Sequence, residues 1–153
     1  MTREIGLVLL ATWAPVSELR GGIPLGLCLG FDPLVTMLIT IPANIVLFFP
    51  VFLILELFYE RYLYKWKFFD SCLDRVRARG KPWVDKYGFL GLTLFVAIPL
   101  PVTGVYSGTA LSWILKMDMK KAFLSITVGL TIAGTIVLLA ALGIITGWES
   151  LLG

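Results

Sequence analysis

The chain has 153 residues, and its composition excludes an ordinary soluble domain. Apolar residues make up 58% and charged residues 15%, against about 45–50% and about 25% in soluble domains. The net charge is +3 and histidine is absent, which excludes Ser–His and Cys–His catalytic pairs and histidine-ligated metals. We therefore predict an integral membrane protein that is not an enzyme and uses no metal or cofactor.

The first apolar stretch, Glu4–Gly30, is interrupted by a turn rich in proline and glycine. Each half is too short to cross a bilayer, which takes about 20 apolar residues. Two short helices that meet at such a turn are typical of a re-entrant hairpin, provided that the turn is buried in protein or lines water. A kinked helix that crosses once is the alternative. The predicted turn residues are Pro15, Gly21 and Gly22.

The next stretch, Pro33–Tyr59, is long enough to span the membrane, with a kink predicted near Pro42. Residues 60–86 follow, and aromatic and apolar side chains recur there at helical intervals among charged ones. This pattern predicts an amphipathic helix on the membrane surface.

The third apolar stretch, Tyr87–Leu115, is interrupted like the first, and we again predict a re-entrant hairpin. Its predicted turn residues are Pro99, Pro101 and Gly104. A second spanning helix is predicted over Met119–Thr146. Asp32 and Asp118 immediately precede the two spanning helices, where we expect both to act as N-caps.

The two halves of the chain resemble each other at a spacing of 86 residues. Pro15, Gly22 and Asp32 correspond to Pro101, Gly108 and Asp118 without a gap. The sequence therefore predicts an all-α membrane domain, residues 1–153, built as an inverted repeat of two units, each a re-entrant hairpin plus one spanning helix. The first repeat covers residues 4–59, the cytoplasmic linker 60–86 and the second repeat 87–146.

Basic residues predict the orientation of this domain. Eleven of them fall on the side that carries the linker, and Arg3 alone falls on the other side. By the positive-inside rule, we predict that the linker is cytoplasmic and that both termini are extracytoplasmic, in a multi-pass protein of the cell membrane. The charge is thus explained by the membrane surface, and no nucleic-acid partner is expected.

Glu18 and Arg20 lie in the first predicted turn. Ionisable side chains inside a membrane protein are costly and commonly functional. Glu18 can bind and release a proton, and Arg20 can hold a carboxylate or a phosphate. The structural alternative is that the two residues pair with each other or cap backbone groups at the turn.

Hydroxyl-bearing side chains complete the predicted site. If the two hairpins meet tip to tip, helix N-termini present their positive dipole ends to an anionic group at the midplane. Gly104 and Tyr106 take the places of Glu18 and Arg20 in the second hairpin. The residues predicted to contact substrate are Arg20, Ser17, Thr103, Tyr106 and Ser107.

Two segments of the chain resemble the family of putative small multidrug export proteins. They are Pro15–Pro24, PVSELRGGIP, and Phe95–Gly104, FVAIPLPVTG. This family is distantly similar to the DedA or VTT-domain membrane proteins, which share paired re-entrant hairpins. The wider group implies transport or lipid translocation, with acidic residues and arginines in the hairpins. Glu18 and Arg20 match that pattern in the first hairpin only.

The sequence thus predicts a proton-coupled transporter that moves a small amphiphilic or anionic substrate by alternating access. Glu18 would couple protons and Arg20 would bind the charge of the substrate. The alternative is a DedA-like lipid flippase or scramblase for polyprenyl phosphate or phospholipid. Because two spanning helices cannot enclose a pathway alone, a homodimer or a larger homo-oligomer is expected in the bilayer.

Overall fold

A computed structural model describes residues 2–58, 86–99 and 103–152, and over these ranges the regular structure is entirely helical. The predicted amphipathic helix of the linker lies outside the described residues, apart from Lys86 at its end. The helices are α1 (Thr2–Trp13), α2 (Glu18–Cys28), α3 (Pro33–Val46), α4 (Phe48–Phe58), α5 (Lys86–Ala97), α6 (Val105–Ile114) and α7 (Met119–Leu152).

Helices α1 and α2 pack against each other across a turn of four residues. α1 ends at Trp13 because the residue before Pro15 is disfavoured in a helical conformation. α2 presents small residues to both of its neighbours: a Cβ at Gly22 would collide with the Thr12 hydroxyl of α1 and would lie 3.2 Å from Thr40 Cγ2 of α3. Gly22 thus lets α1, α2 and α3 approach one another closely, as small residues do in membrane helix bundles.

Helices α3 and α4 form one apolar segment of 26 residues, Pro33–Phe58. The predicted N-cap is confirmed, since Leu34 N–H donates to Asp32 Oδ1 at 2.9 Å. α3 continues through Pro42, where the kink was predicted, and the helix is interrupted at Leu47. Pro50 explains this position, because it has no N–H to offer the carbonyl of Val46 and its ring crowds that carbonyl.

The second half of the chain has the same order of short and long helices. α5 and α6 are short, and α7 runs for 34 residues, six beyond the predicted end at Thr146. α6 packs against α4 and α7, while α2 packs against α3 and α7. A Cβ at Gly129 would lie 2.7 Å from Val96 Cβ, so α5 and α7 are also in close contact.

The core lies where the short helices meet the long ones, and the outer faces of the long helices remain exposed. Only 17% of the most apolar window of Pro33–Phe58 and 33% of that of Met119–Ile145 is buried within the chain. The core helix of a soluble protein would be mostly buried, so these two helices are suited to contact with lipid. The core residues include Leu19, Ile23, Phe48, Val96, Val105, Ile126 and Leu130.

The connections that precede α3 and α7 have the same backbone structure at a spacing of 86 residues. Leu29 and Leu115 have φ and ψ of −81° and 2° and of −80° and 1°. The next residue in each connection, Gly30 or Lys116, has a positive φ. The hydrogen bonds correspond as well: Leu29 to Leu25, Gly30 to Leu27 and Phe31 to Gly26 match Leu115 to Leu111, Lys116 to Trp113 and Met117 to Ser112.

Candidate functional site

Glu18 is the first residue of α2, and its side chain is almost fully buried, with 6% of its surface exposed. Its φ is 45°, a left-handed conformation that is uncommon for residues other than glycine. The preceding turn is held by Ser17, whose hydroxyl donates to the Ala11 carbonyl. A buried charge on strained backbone is the combination often found at functional sites.

The Glu18 carboxylate lies against the start of α6 in the other half of the chain. The backbone N–H groups of Val105 and Tyr106 at that helix end act electrostatically to stabilise its negative charge. It also lies so close to Gly104 that any Cβ at that position would overlap the carboxylate. Free N–H groups and the positive end of the helix dipole stabilise a negative charge there. The Glu18 carboxylate therefore lies at the helix end that we assigned from the sequence to an anionic group of the substrate, and binding of a substrate there stays a prediction.

Arg20 contacts the same turn from the same helix. Its guanidinium donates to the backbone carbonyl of Thr103 and, at 3.1 Å, to Thr103 Oγ1. The Thr103 hydroxyl in turn donates to the Ile98 carbonyl, which fixes the end of α5 against the start of α6. The two predicted charges thus contact different parts of the second turn, and the Arg20 charge also acts electrostatically on Glu18.

Two aromatic side chains join the turns from the outside. The Tyr106 hydroxyl donates to the Trp13 carbonyl at 2.5 Å, and Trp13 Nε1 donates to the Ala43 carbonyl of α3 at 3.1 Å. Ser107 acts within its own turn, where its hydroxyl accepts the Gly104 N–H at 3.1 Å. We call the contact surface formed by Glu18, Arg20, Thr103, Gly104 and Tyr106 the turn junction.

The turn junction encloses a cavity of about 10 Å³, which Leu130 and Ala133 of α7 help to line. That volume holds about one water molecule, whereas sites for drug-sized ligands measure about 300–1,000 Å³. The junction is therefore closed in this conformation. Among the described residues, no group of three or more carboxylate or cysteine side chains is positioned to hold a metal ion.

The structure brings together most of the predicted site. Ser17, Glu18, Arg20, Thr103, Tyr106 and Ser107 all lie at or beside the two turns, while Pro101 falls outside the described residues. Sequence reasoning missed the contact between Glu18 and Gly104, although their spacing of 86 residues is a signal.

A second feature that sequence reasoning did not resolve is Asn44. The residue is completely buried, and in the part of the chain that the structure describes neither its amide nitrogen nor its amide oxygen has a hydrogen-bond partner. Such a group costs free energy unless something binds to it. Asn44 is therefore a candidate for contact with water or a ligand.

The helical architecture, the two exposed apolar helices and the buried Glu18 carboxylate define the chain as a helical membrane protein. Residues 18–136 match the family described as putative small multi-drug export protein, and the chain belongs to this family. The resemblance inferred from the two turn motifs is thereby confirmed, and membership is consistent with a membrane transporter. No curated protein and no solved structure matches the chain. The similarity to DedA proteins stays a prediction.

Proposed function

We propose that this protein is a proton-coupled transporter that moves an amphiphilic or anionic substrate by alternating access. The observation that carries the proposal is the position of the Glu18 carboxylate, which lies directly against Gly104 at the N-terminus of α6. This one contact combines a group that can take up a proton with a site built to hold an anion.

Proton uptake by Glu18 would weaken the contact that closes the turn junction. A neutral carboxyl group gains less from the helix dipole and from two backbone N–H donors than a carboxylate does. Once the Glu18 side chain moves away from the start of α6, an anionic group of the substrate can bind there. Its partners would be the N–H groups of Val105 and Tyr106 and the guanidinium of Arg20. Substrate and proton would then exchange at one place, which is the requirement for coupling.

Opening must also break the bonds that flank Glu18. Arg20 would release Thr103, and Tyr106 would release the Trp13 carbonyl. With a cavity of about 10 Å³ at the junction, the described conformation represents the closed state in this scheme. The substrate would enter as the two turns move apart.

The proposed arrangement in the bilayer is an inverted repeat of two re-entrant hairpins and two spanning helices. The packing of α1 against α2, their short lengths and the matching connections before α3 and α7 support it. Lys86, Lys116 and Lys121 line one cavity, so the start of α5 and the end of α6 lie at the same end of the fold. We assign that end to the cytoplasm, which places both chain termini outside.

We further propose that the working unit is a homodimer or larger homo-oligomer in the plasma membrane. One chain offers two helices long enough to span a bilayer among its described residues, too few to enclose a pathway. Exposed apolar residues along α3 and α7, including Leu38 and Leu139, are available to a second copy as well as to lipid. Cross-linking in native membranes would measure the subunit number, and a monomer alone would contradict this part.

The deciding experiment measures proton release from liposomes that contain the purified protein when candidate substrates are added. Polyprenyl phosphate and a cationic drug are two such candidates. Wild-type protein should give a substrate-dependent proton signal that Glu18→Gln abolishes. Arg20→Ala should weaken the signal mainly for anionic substrates, because it removes the side chain that recognises their charge.

Glu56→Gln is the matched control, because Glu56 is an exposed carboxylate near the end of α4. This variant should keep the proton signal. If no substrate produces a proton signal and phospholipid exchange persists in both Glu18→Gln and Arg20→Ala, coupling is refuted. The lipid scramblase would then be the better description, with Glu18 and Arg20 in a structural role.

A further inference from the structure

We propose that the end of the fold opposite the turn junction holds a binding site for a phosphate group, carried by an anionic lipid headgroup or free in solution. The site lies between the start of α5 and the connection from α6 to α7. It uses none of the residues of the turn junction, so this proposal does not depend on the proposed transport function.

The first observation is a cavity of about 550 Å³ at this place. Its volume is within the range of about 300–1,000 Å³ that is usual for small-molecule sites. Three lysines line it, namely Lys86, Lys116 and Lys121, together with Asp118. A cavity of ligand size that brings together three cationic side chains from two parts of the chain is suited to an anion.

Asp118 does not neutralise this set of lysines by pairing with them. Its Oδ1 accepts the backbone N–H groups of Lys120 and Lys121, at 3.0 and 3.2 Å, as the N-cap of α7. The acidic charge is thus engaged by its own helix end. The three lysines, whose ammonium groups bind phosphate as point charges, therefore give the lining of the cavity an excess of positive charge.

The second observation is the backbone of Lys116. Its φ is 52°, whereas the matching residue before α3 is Gly30 with a φ of 82°. The two connections have corresponding hydrogen bonds, so nothing in the local backbone requires a lysine. Glycine adopts this conformation freely and other L-residues do so at a cost. A lysine at this position is therefore best explained by what its side chain binds.

The walls of the cavity add an apolar component. Phe89 and Leu90 line it together with the lysines, and both are exposed. The Lys86 ammonium lies 5.1 Å from the centre of the Tyr87 ring. Basic pockets beside apolar surface at the start of a spanning helix are suited to anionic headgroups, whose acyl chains continue along the helices.

The test compares the binding of spin-labelled phosphatidic acid with that of spin-labelled phosphatidylcholine in phosphatidylcholine nanodiscs. Wild-type protein should bind the phosphatidic acid preferentially, and Lys116→Gly should reduce that preference about fivefold. Lys121→Gln should reduce it similarly. Lys120→Gln is the matched control, because Lys120 is an exposed lysine on the same turn that does not line the cavity.

The variant Lys116→Gly separates lost binding from lost folding. Because glycine suits a φ of 52°, this variant should unfold at the same temperature as wild type or higher. Unfolding at a lower temperature would overturn the argument from the backbone. A wild-type protein without preference for phosphatidic acid, or an equal loss in Lys120→Gln, would overturn the site itself.

A second measurement identifies the source of the phosphate. Acetylation of Lys116 is followed by mass spectrometry in detergent with inorganic phosphate and, separately, in nanodiscs with phosphatidic acid. Protection in detergent would assign the site to free phosphate, and protection only in nanodiscs would assign it to a lipid headgroup. Lack of protection under both conditions would overturn the proposal.

Discussion

The two halves of the chain share the backbone structure of one connection and carry different side chains at a spacing of 86 residues. Glu18, Arg20 and Asn44 in the first half correspond to Gly104, Tyr106 and Leu130 in the second. The connections before α3 and α7 nevertheless match in dihedral angles and in hydrogen bonds. Both charged side chains of the turn junction, Glu18 and Arg20, thus come from the first half.

The contact between Glu18 and Gly104 shows why the halves differ. These two residues occupy equivalent positions and lie against each other, so the side chain of one fills the space that the other would need. Two carboxylates at this place would repel each other in a poorly solvated site. One acid and one glycine fit the available space and avoid that repulsion, which explains why the two positions carry different residues.

The largest expected effect comes from filling the space beside Glu18. Gly104→Val should lower the free energy of unfolding by about 3 kcal/mol, because the new side chain overlaps the Glu18 carboxylate and displaces it from α6. Backbone strain does not contribute, since Gly104 has an extended φ of −172°. Chemical unfolding in detergent micelles measures the change.

The matched control is Gly6→Ala in α1, where a Cβ would have no neighbour within 4 Å. This substitution should leave the stability unchanged or raise it slightly, because alanine favours a helix. Equal destabilisation by Gly104→Val and Gly6→Ala would contradict the contact between Glu18 and Gly104.

A smaller effect is expected when the carboxylate is moved to the other half. Glu18→Gly should be destabilising alone, since it leaves the N–H groups at the start of α6 without an acceptor. Gly104→Glu should also be destabilising, because it crowds a second carboxylate against the first. Their combination should recover about 2 kcal/mol relative to the sum of the single changes.

This double-mutant cycle tests the equivalence of the two turns directly. The combined variant places one acid and one glycine at the same pair of positions, in exchanged order, and glycine suits the positive φ of residue 18. Strict additivity of the two changes would refute the idea that the positions are interchangeable.

Much of the fold follows from local sequence, whereas the site depends on contacts between distant residues. The spanning helices begin at Pro33 and Met119 as predicted, because Asp32 and Asp118 determine those starts within a single turn. The interruption at Leu47 is also local, but from the sequence we predicted only a kink near Pro42 and overlooked Pro50. The contacts of Glu18 with Gly104 and of Arg20 with Thr103 join residues more than 80 positions apart, which no local pattern reveals.

Asn44 and Leu130 offer a third comparison of the two halves, since both are buried at equivalent places in α3 and α7. Asn44→Leu should raise the free energy of unfolding by about 1.5 kcal/mol, because it removes buried polar atoms that have no partner in the described structure. If Asn44 contacts substrate or an ordered water on the pathway, the same variant should transport more slowly. A stabilised protein with unchanged transport would limit Asn44 to a structural role.

The smallest expected effect concerns Tyr106, which stands where the first half has Arg20. Tyr106→Phe removes the hydrogen bond to the Trp13 carbonyl and keeps the ring, so the free energy of unfolding should fall by about 0.5–1 kcal/mol. If opening of the turn junction limits the transport rate, loss of this bond should also increase that rate, because the closed state would open more easily. Single-turnover uptake at saturating substrate measures that rate, with Tyr87→Phe as the matched control outside the junction. A slower rate in Tyr106→Phe would show that the hydroxyl assists substrate binding rather than closure, and the two halves would then share the chemistry more evenly than their charges suggest.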